Sequence, residues 1–253
     1  MQLIRSLVIA FSMYSSLPMP DVAWDRDAMR WSLCFFPLVG AVVGLISGLW
    51  LLLCEWLVFP VILRAAGMCL LPVLITGGIH LDGYADTSDA LASHAGVERR
   101  QEILKDPHLG AFAAIRLCVY FVADYALWAA LPHCSAAVLI CFFSLSRTLS
   151  ALSLLLFPLR PGSGTARSFA EAAGSVTVRI VLLIYLILLS VILLLNGAWP
   201  VLPAAALVFL RYWFVAGRDF GGLSGDIAGW FLQKSELWML AALCFKLLLE
   251  NRL

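Results

Sequence analysis

Charge is what this chain has least of. Of its 253 residues, 13% are Asp, Glu, Lys or Arg and 62% are hydrophobic, whereas about a quarter of a soluble domain is charged. With a mean hydropathy of +0.95, that scarcity excludes a soluble globular domain and leaves a polytopic membrane protein. Neither sign dominates: the net charge is +1 at neutral pH, so no basic surface is offered to nucleic acid, and the motifs that read nucleic acid are absent. No C-x-x-C pair occurs. The seven cysteines (34, 54, 69, 118, 134, 141, 244) fall almost wholly inside apolar runs, which argues against a disulfide framework or a zinc site and makes them small packing residues. No small-x-small cleavage site follows the apolar stretch after Arg5, so residues 1–20 read as a retained interfacial or re-entrant helix. Linkers, low-complexity tracts and internal repeats are lacking too, so residues 1–253 read as one domain.

What the chain has instead is a series of apolar windows long enough to cross a bilayer. They cover residues 33–59, 61–76, 109–131, 135–157, 176–195 and 201–216, with a shorter run at 237–249 that extends back through "DIAGWFLQ". The expected fold is therefore all-α, a polytopic integral membrane bundle of six or seven transmembrane helices. The links alternate in character. Those at 59–60, 132–134 and 196–200 are tiny and hold no Lys or Arg. The others hold nearly all the loop charge: 18–32 (Arg26, Arg30), 77–108 (Arg99, Arg100, Lys105), 158–175 (Arg160, Arg167) and 217–236 (Arg218, Lys234). By the positive-inside rule the long loops face the cytoplasm and the tight turns face out. Gly40, Gly44 and Gly48 recur four apart, as do Gly221, Gly225 and Gly229. That spacing lets helix backbones approach closely in lipid, and the second series also carries Asp226.

The rare acids are concentrated in one place, "GGIHLDGYADTSD" at 77–89. On a helix starting near His80, Asp82, Asp86 and Asp89 stand at i, i+4 and i+7, within about 60° of one another around the axis. Three carboxylates on one face repel unless something positive lies close. A hard divalent cation with oxygen ligands, magnesium bridging to substrate phosphates, meets that need. Further polar residues fall in the same loops: Lys105, Asp106 and His108 in "ILKDPHLG", and Arg218, Asp219, Ser224 and Asp226 in "RDFGGLSGD". Arg116, Arg147 and Arg211 lie within spans, each in the cytoplasmic half on this topology. An intramembrane Arg faces a bundle interior, a partner or a polar cavity. Asp124 is the candidate structural partner of Arg116. Arg147 and Arg211 have no acid near them in sequence and read as ligands for phosphate or another anion.

These residues also carry a resemblance. "GGIHLDGYADTSDAL" resembles the signature of the cobalamin synthase family, the adenosylcobinamide-GDP ribazoletransferases, which usually reads G-G-x-H-x-D-G-x-A-D-x-x-D. The likeness continues in order through "SLPMP", "FFPLVGAVVG", "ILKDPHLGAFA", Ser146-Arg147, "PLRPGSG" and "GGLSGD". The chain departs from the family pattern at Ser15-Ser16, where Thr-Arg is common, at Ser224 for Thr, and at Ala113 and Trp230. The resemblance implies an integral bacterial inner-membrane enzyme, dependent on Mg2+, with its active site on the cytoplasmic side in the Asp-rich loop and helix at 77–108. Its substrates would be adenosylcobinamide-GDP and α-ribazole or α-ribazole 5′-phosphate, with release of GMP. Asp82, Asp86 and Asp89 would hold the metal. Asp82, His80 and Asp86 would form the catalytic set, with the base for the ribazole hydroxyl left open between His80 and an aspartate. Lys105, Asp106, Arg147, Arg211, Ser224 and Asp226 would bind substrate. Membrane lipid, a second copy of the chain and other enzymes of the pathway are the remaining candidate partners. Two rival classes share some features: a CDP-alcohol phosphotransferase, whose aspartates are spaced more widely, and an ion-coupled transporter, whose acids would sit near the bilayer midplane.

Overall fold

The computed structural model describes residues 1–131 and 134–250. The chain begins with α1 (Gln2–Tyr14) and a single turn, α2 (Arg26–Met29), followed by the long α3 (Ser32–Trp56) and by α4 (Val61–Thr76). Then come α5 (Ile79–Ala92), α6 (Val97–Ile103), α7 (Ala111–Ala130), α8 (Ala136–Leu156) and α9 (Gly164–Ala172). The chain ends with α10 (Val176–Leu195), α11 (Val201–Phe214), a π turn (Val215–Asp219) and α12 (Gly225–Glu250). No strand occurs among the described residues; one isolated bridge pairs Leu159 with Leu223. This is the expected all-α membrane bundle.

Among the described residues, five helices are long and apolar enough to cross a membrane: α3, α7, α8, α10 and α11 with its π turn. A sixth crossing exists only if α4 and α5 are counted together, because they are bent by 97° at the break between them. Gly77 and Gly78, with φ of 64° and 77°, make that break; left-handed backbone at a helix end is glycine's province. The expected short run at 237–249 lies within the 26-residue α12, whose Asp226, Lys234 and Glu236 dilute its apolar character. Of the expected tight turn at 132–134, Pro132 and His133 lie outside the described residues.

Helix α8 is the axis of the bundle, buried along almost its whole length. It packs most extensively on α3. Gly40, Gly44 and Gly48 form that seam as their spacing predicts: a Cβ at Gly44 would stand 2.5 Å from the Ile140 Cα, and one at Gly48 2.9 Å from the Ala136 Cβ. The second glycine series divides. Gly221 lies in a loop with φ 68°, and only Gly225 and Gly229 belong to α12. On the outside, α7 and α10 present rows such as Ile115, Val119 and Val122, or Ile180, Leu183 and Ile187. Apart from the exposed Arg116 and Arg179, such apolar exposure suits hydrocarbon.

The four charged links gather with one another. Trp24 meets Phe169 edge to face, Arg100 pairs with Asp219 at 2.5 Å, and the Leu159–Leu223 bridge joins the third loop to the fourth. The turns at 59–60 and 196–200 carry none of these cross-links. The candidate functional site lies where the charged links meet.

Candidate functional site

The site is built where α5 crosses the beginning of α12. Gly83 makes the crossing possible: a Cβ there would lie 2.6 Å from the Asp226 carbonyl oxygen. Gly229 repeats the arrangement from the other side, its missing Cβ falling 3.0 Å from the His80 carbonyl oxygen. The two small residues let Asp226, 144 positions after Asp82 in the chain, come up beside the acidic helix. As expected from spacing, Asp82, Asp86 and Asp89 belong to one helix. The negative charges of Asp82, Asp226 and Asp89 all act on Asp86, and among the described residues no ion pair forms at Asp82, Asp86 or Asp226. The Ser224 hydroxyl donates to Asp226 at 3.3 Å, so the hydroxyl that replaces the family's usual Thr is in use.

Beside this crossing lies a cavity of about 370 Å3. Its acidic lining residues are Asp82 and Asp226; its basic one is Arg160, followed by the Gly162–Ser163–Gly164 turn into α9; Tyr14, Phe36 and Phe169 add aromatic rings. His80 lines it as well, 5% exposed, with its ring 6.2 Å from that of Tyr14 and 5.8 Å from that of Phe36. Three buried polar atoms at the cavity have no hydrogen-bond partner: His80 Nε2, Arg160 Nη1 and Ser163 Oγ. Buried polar groups are nearly always satisfied, so three orphans around one cavity mark a place where a ligand completes the bonding.

Other expected residues are placed elsewhere. Asp89 turns to α7, its Oδ1 accepting the Ala113 N–H at 3.1 Å, and so caps that helix. Arg147 does not line the cavity. It is 1% exposed, pairs with Glu236, donates to the Phe143 carbonyl and Ser146 Oγ at 3.1 and 3.0 Å and lies over the Phe143 ring. Its expected anion is thus a carboxylate of the protein itself. Arg211 is exposed on α11 and lines a separate groove with Lys234, Trp230 and Trp238. Lys105 and Asp106 are exposed in the loop after α6. There the backbone N–H and ring of His108 hold the Asp106 carboxyl below the usual carboxylate range, and the ring contact is 2.7 Å. Arg116 and Asp124 form no ion pair: eight residues along a helix put them about 12 Å apart, and Asp124 is buried whereas Arg116 is exposed. Conversely, Arg160, Ser163, Tyr14 and Glu236 were not among the expected site residues. The first two stand in "PLRPGSG", whose turn-forming residues around one Arg are the signal that could have found them.

No three His, Cys, Asp or Glu side chains among the described residues are gathered closely enough to enclose a metal unaided. The carboxylates at the crossing, which form no ion pair among the described residues, still fit magnesium, which takes one or two carboxylates and completes its shell with water and substrate phosphates.

Fold and site define a multi-pass helical membrane protein with a cavity lined by both acidic and basic residues, set among the charged links. The family model described as Cobalamin-5-phosphate synthase matches residues 6–244, and the chain belongs to that family. It is 43% identical to the adenosylcobinamide-GDP ribazoletransferase of Lachnoclostridium phytofermentans, over 94% of this chain and 92% of the relative. It is 33% identical to the protein of the same name from Desulfitobacterium hafniense, over 93% and 95% of the two chains. No solved structure matches it.

Proposed function

We propose that this chain is a magnesium-dependent adenosylcobinamide-GDP ribazoletransferase of a bacterial inner membrane, with its reaction centre where α5 crosses α12. The observation that carries the reading is the meeting of Asp82 and Asp226, unanswered by any ion pair among the described residues, with a partnerless His80 Nε2 and a buried Arg160 at one cavity, Asp86 lying close by on α5.

The hydroxyl oxygen of α-ribazole, or of its 5′-phosphate, forms a bond to the phosphorus attached to the cobinamide. The bond from that phosphorus to the bridging oxygen breaks, and GMP leaves with the oxygen. The hydroxyl proton passes to the protein. Magnesium, when bound, neutralises the diphosphate and stabilises charge on departing GMP. Asp82 and Asp226, the two carboxylates that line the cavity, are the residues that would hold it together with water and substrate phosphates, Asp226 taking the place expected of Asp89. His80 Nε2, in the tautomer that keeps its proton on Nδ1, accepts the hydroxyl hydrogen bond; proton removal falls to His80 or to Asp82. Tyr14, Phe36 and Phe169 exclude water from one side. Packing of His80 against the rings of Tyr14 and Phe36 fixes its orientation.

The long loops and the cavity face the cytoplasm in this reading, in keeping with the distribution of Lys and Arg. The phospholipid-type phosphotransferase and the transporter gain no support from the family to which the chain belongs. Purified protein in lipid, given adenosylcobinamide-GDP and α-ribazole with and without magnesium, tests the proposal. Metal-dependent GMP release coupled to corrinoid product is expected; well-folded protein that releases no GMP under either condition would overturn it.

A further inference from the structure

The proposed chemistry uses the acidic residues of the cavity and leaves Arg160, its basic lining residue, without a role. Arg160 is 7% exposed, yet its Nη1 bonds to nothing, and no ion pair reaches it among the described residues. Asp226 is close enough to feel its charge but binds the Ser224 hydroxyl instead. An unpaired buried guanidinium is costly unless something anionic joins it.

The position of Arg160 is fixed from its own backbone. Its N–H donates to Leu223 at 3.0 Å, the Leu223 N–H donates to Pro158 at 2.8 Å, and its carbonyl accepts the Ser163 N–H at 3.2 Å. Gly222 permits this clamp: a Cβ there would stand 2.6 Å from the Arg160 nitrogen. Ser163 repeats the anomaly. It is the N-cap of α9, where a serine ordinarily accepts a bond from the first turn, but it makes no such bond, and its buried Oγ is also unpartnered. A guanidinium, a free hydroxyl and a helix N-terminus at the rim of one cavity form the donor set that binds phosphate oxygens.

We propose that Arg160 and Ser163, with the N-terminus of α9, form a phosphate-binding subsite that holds a substrate phosphate in the cavity lined by Asp82 and Asp226. This inference rests on the transferase reading and adds to it a second, metal-independent anchor. Two phosphates have the right chemistry: the 5′-phosphate of a phosphorylated acceptor and the diphosphate of the activated corrinoid.

The test uses full-length protein in lipid as wild type, Arg160→Gln, Arg160→Lys and Ser163→Ala. KM is measured for adenosylcobinamide-GDP and for α-ribazole or α-ribazole 5′-phosphate. In parallel, the shift in melting temperature is measured with α-ribazole 5′-phosphate and with GDP as separate probes. Losing a charge-assisted bond should raise the relevant KM about tenfold or more in Arg160→Gln, and less in Ser163→Ala, with kcat moving less than KM. A rise confined to α-ribazole 5′-phosphate assigns the subsite to the acceptor, and a rise for adenosylcobinamide-GDP with either acceptor assigns it to the diphosphate. If Arg160→Gln does not fold, Arg160→Lys and Ser163→Ala decide. KM values unmoved within about twofold, or no thermal shift with either probe, would overturn the subsite. Thermal shifts lost in the variants, in a wild type that catalyses nothing, would instead overturn the transferase reading and keep the subsite.

Discussion

Arg147 and Arg160 bear the same guanidinium and differ in what answers it. Arg147 lies inside the bundle against Glu236, whereas Arg160 faces a cavity with an empty Nη1. Removing one member of a buried pair leaves the other uncompensated, so Glu236→Gln should destabilise the protein by about 3–5 kcal/mol. Thermal unfolding in detergent reads that loss, and Glu236→Gln as stable as wild type would remove the pair from the account. Asp89 poses a sharper question, because it belongs to the acidic triplet yet caps α7. Asparagine keeps a carbonyl oxygen for the Ala113 N–H, so Asp89→Asn should retain most of the turnover, while Asp89→Ala should cost about 1 kcal/mol of stability. Collapse of turnover in Asp89→Asn at unchanged stability would return Asp89 to the metal. The sequence alone showed three carboxylates on one face but not which way each one turned. Nor could it pair Arg147 with Glu236, 89 residues away, because an ion pair between helices leaves no trace in local spacing.

At the level of the element, helices were more legible than the joints between them. The i, i+4, i+7 spacing of Asp82, Asp86 and Asp89 gave α5 its face, and the four-residue glycine spacing gave the α3–α8 seam. The 97° bend was signalled only by "GG", which marks a break without its angle. The end of the chain was harder: hydropathy saw the apolar stretch at 237–249, but α12 begins at Gly225 because its charged first half is buried against α5 and α7 and needs no apolar pattern. That buried half is the one that matters here. Gly83→Ala should push α12 away from α5, since its Cβ would meet backbone rather than a flexible side chain. Turnover should fall more steeply than stability, and overpacking of this kind costs about 1–3 kcal/mol. Paired melting and rate measurements check it; unchanged turnover would show that the close crossing is dispensable.

For the whole molecule, the alternation of charged links and tight turns anticipated which loops would share company. The structure joins all four charged links through Trp24–Phe169, Arg100–Asp219 and Leu159–Leu223. Lys and Arg asymmetry then predicts the side on which they sit. A single cysteine at the exposed Arg99, in a cysteine-free background, should react with a membrane-impermeant maleimide in inverted vesicles and stay unlabelled in right-side-out ones; the reverse pattern would invert the topology.

The central claim is that one reaction centre is shared between α5 and α12, and turnover of Asp82→Asn and Asp226→Asn tests it most directly. Each substitution keeps shape and removes one charge. In protein that is inserted and folded, the account predicts that each variant loses about a hundredfold or more of GMP release. Loss in Asp82→Asn alone, with Asp226→Asn turning over like wild type, would contradict it.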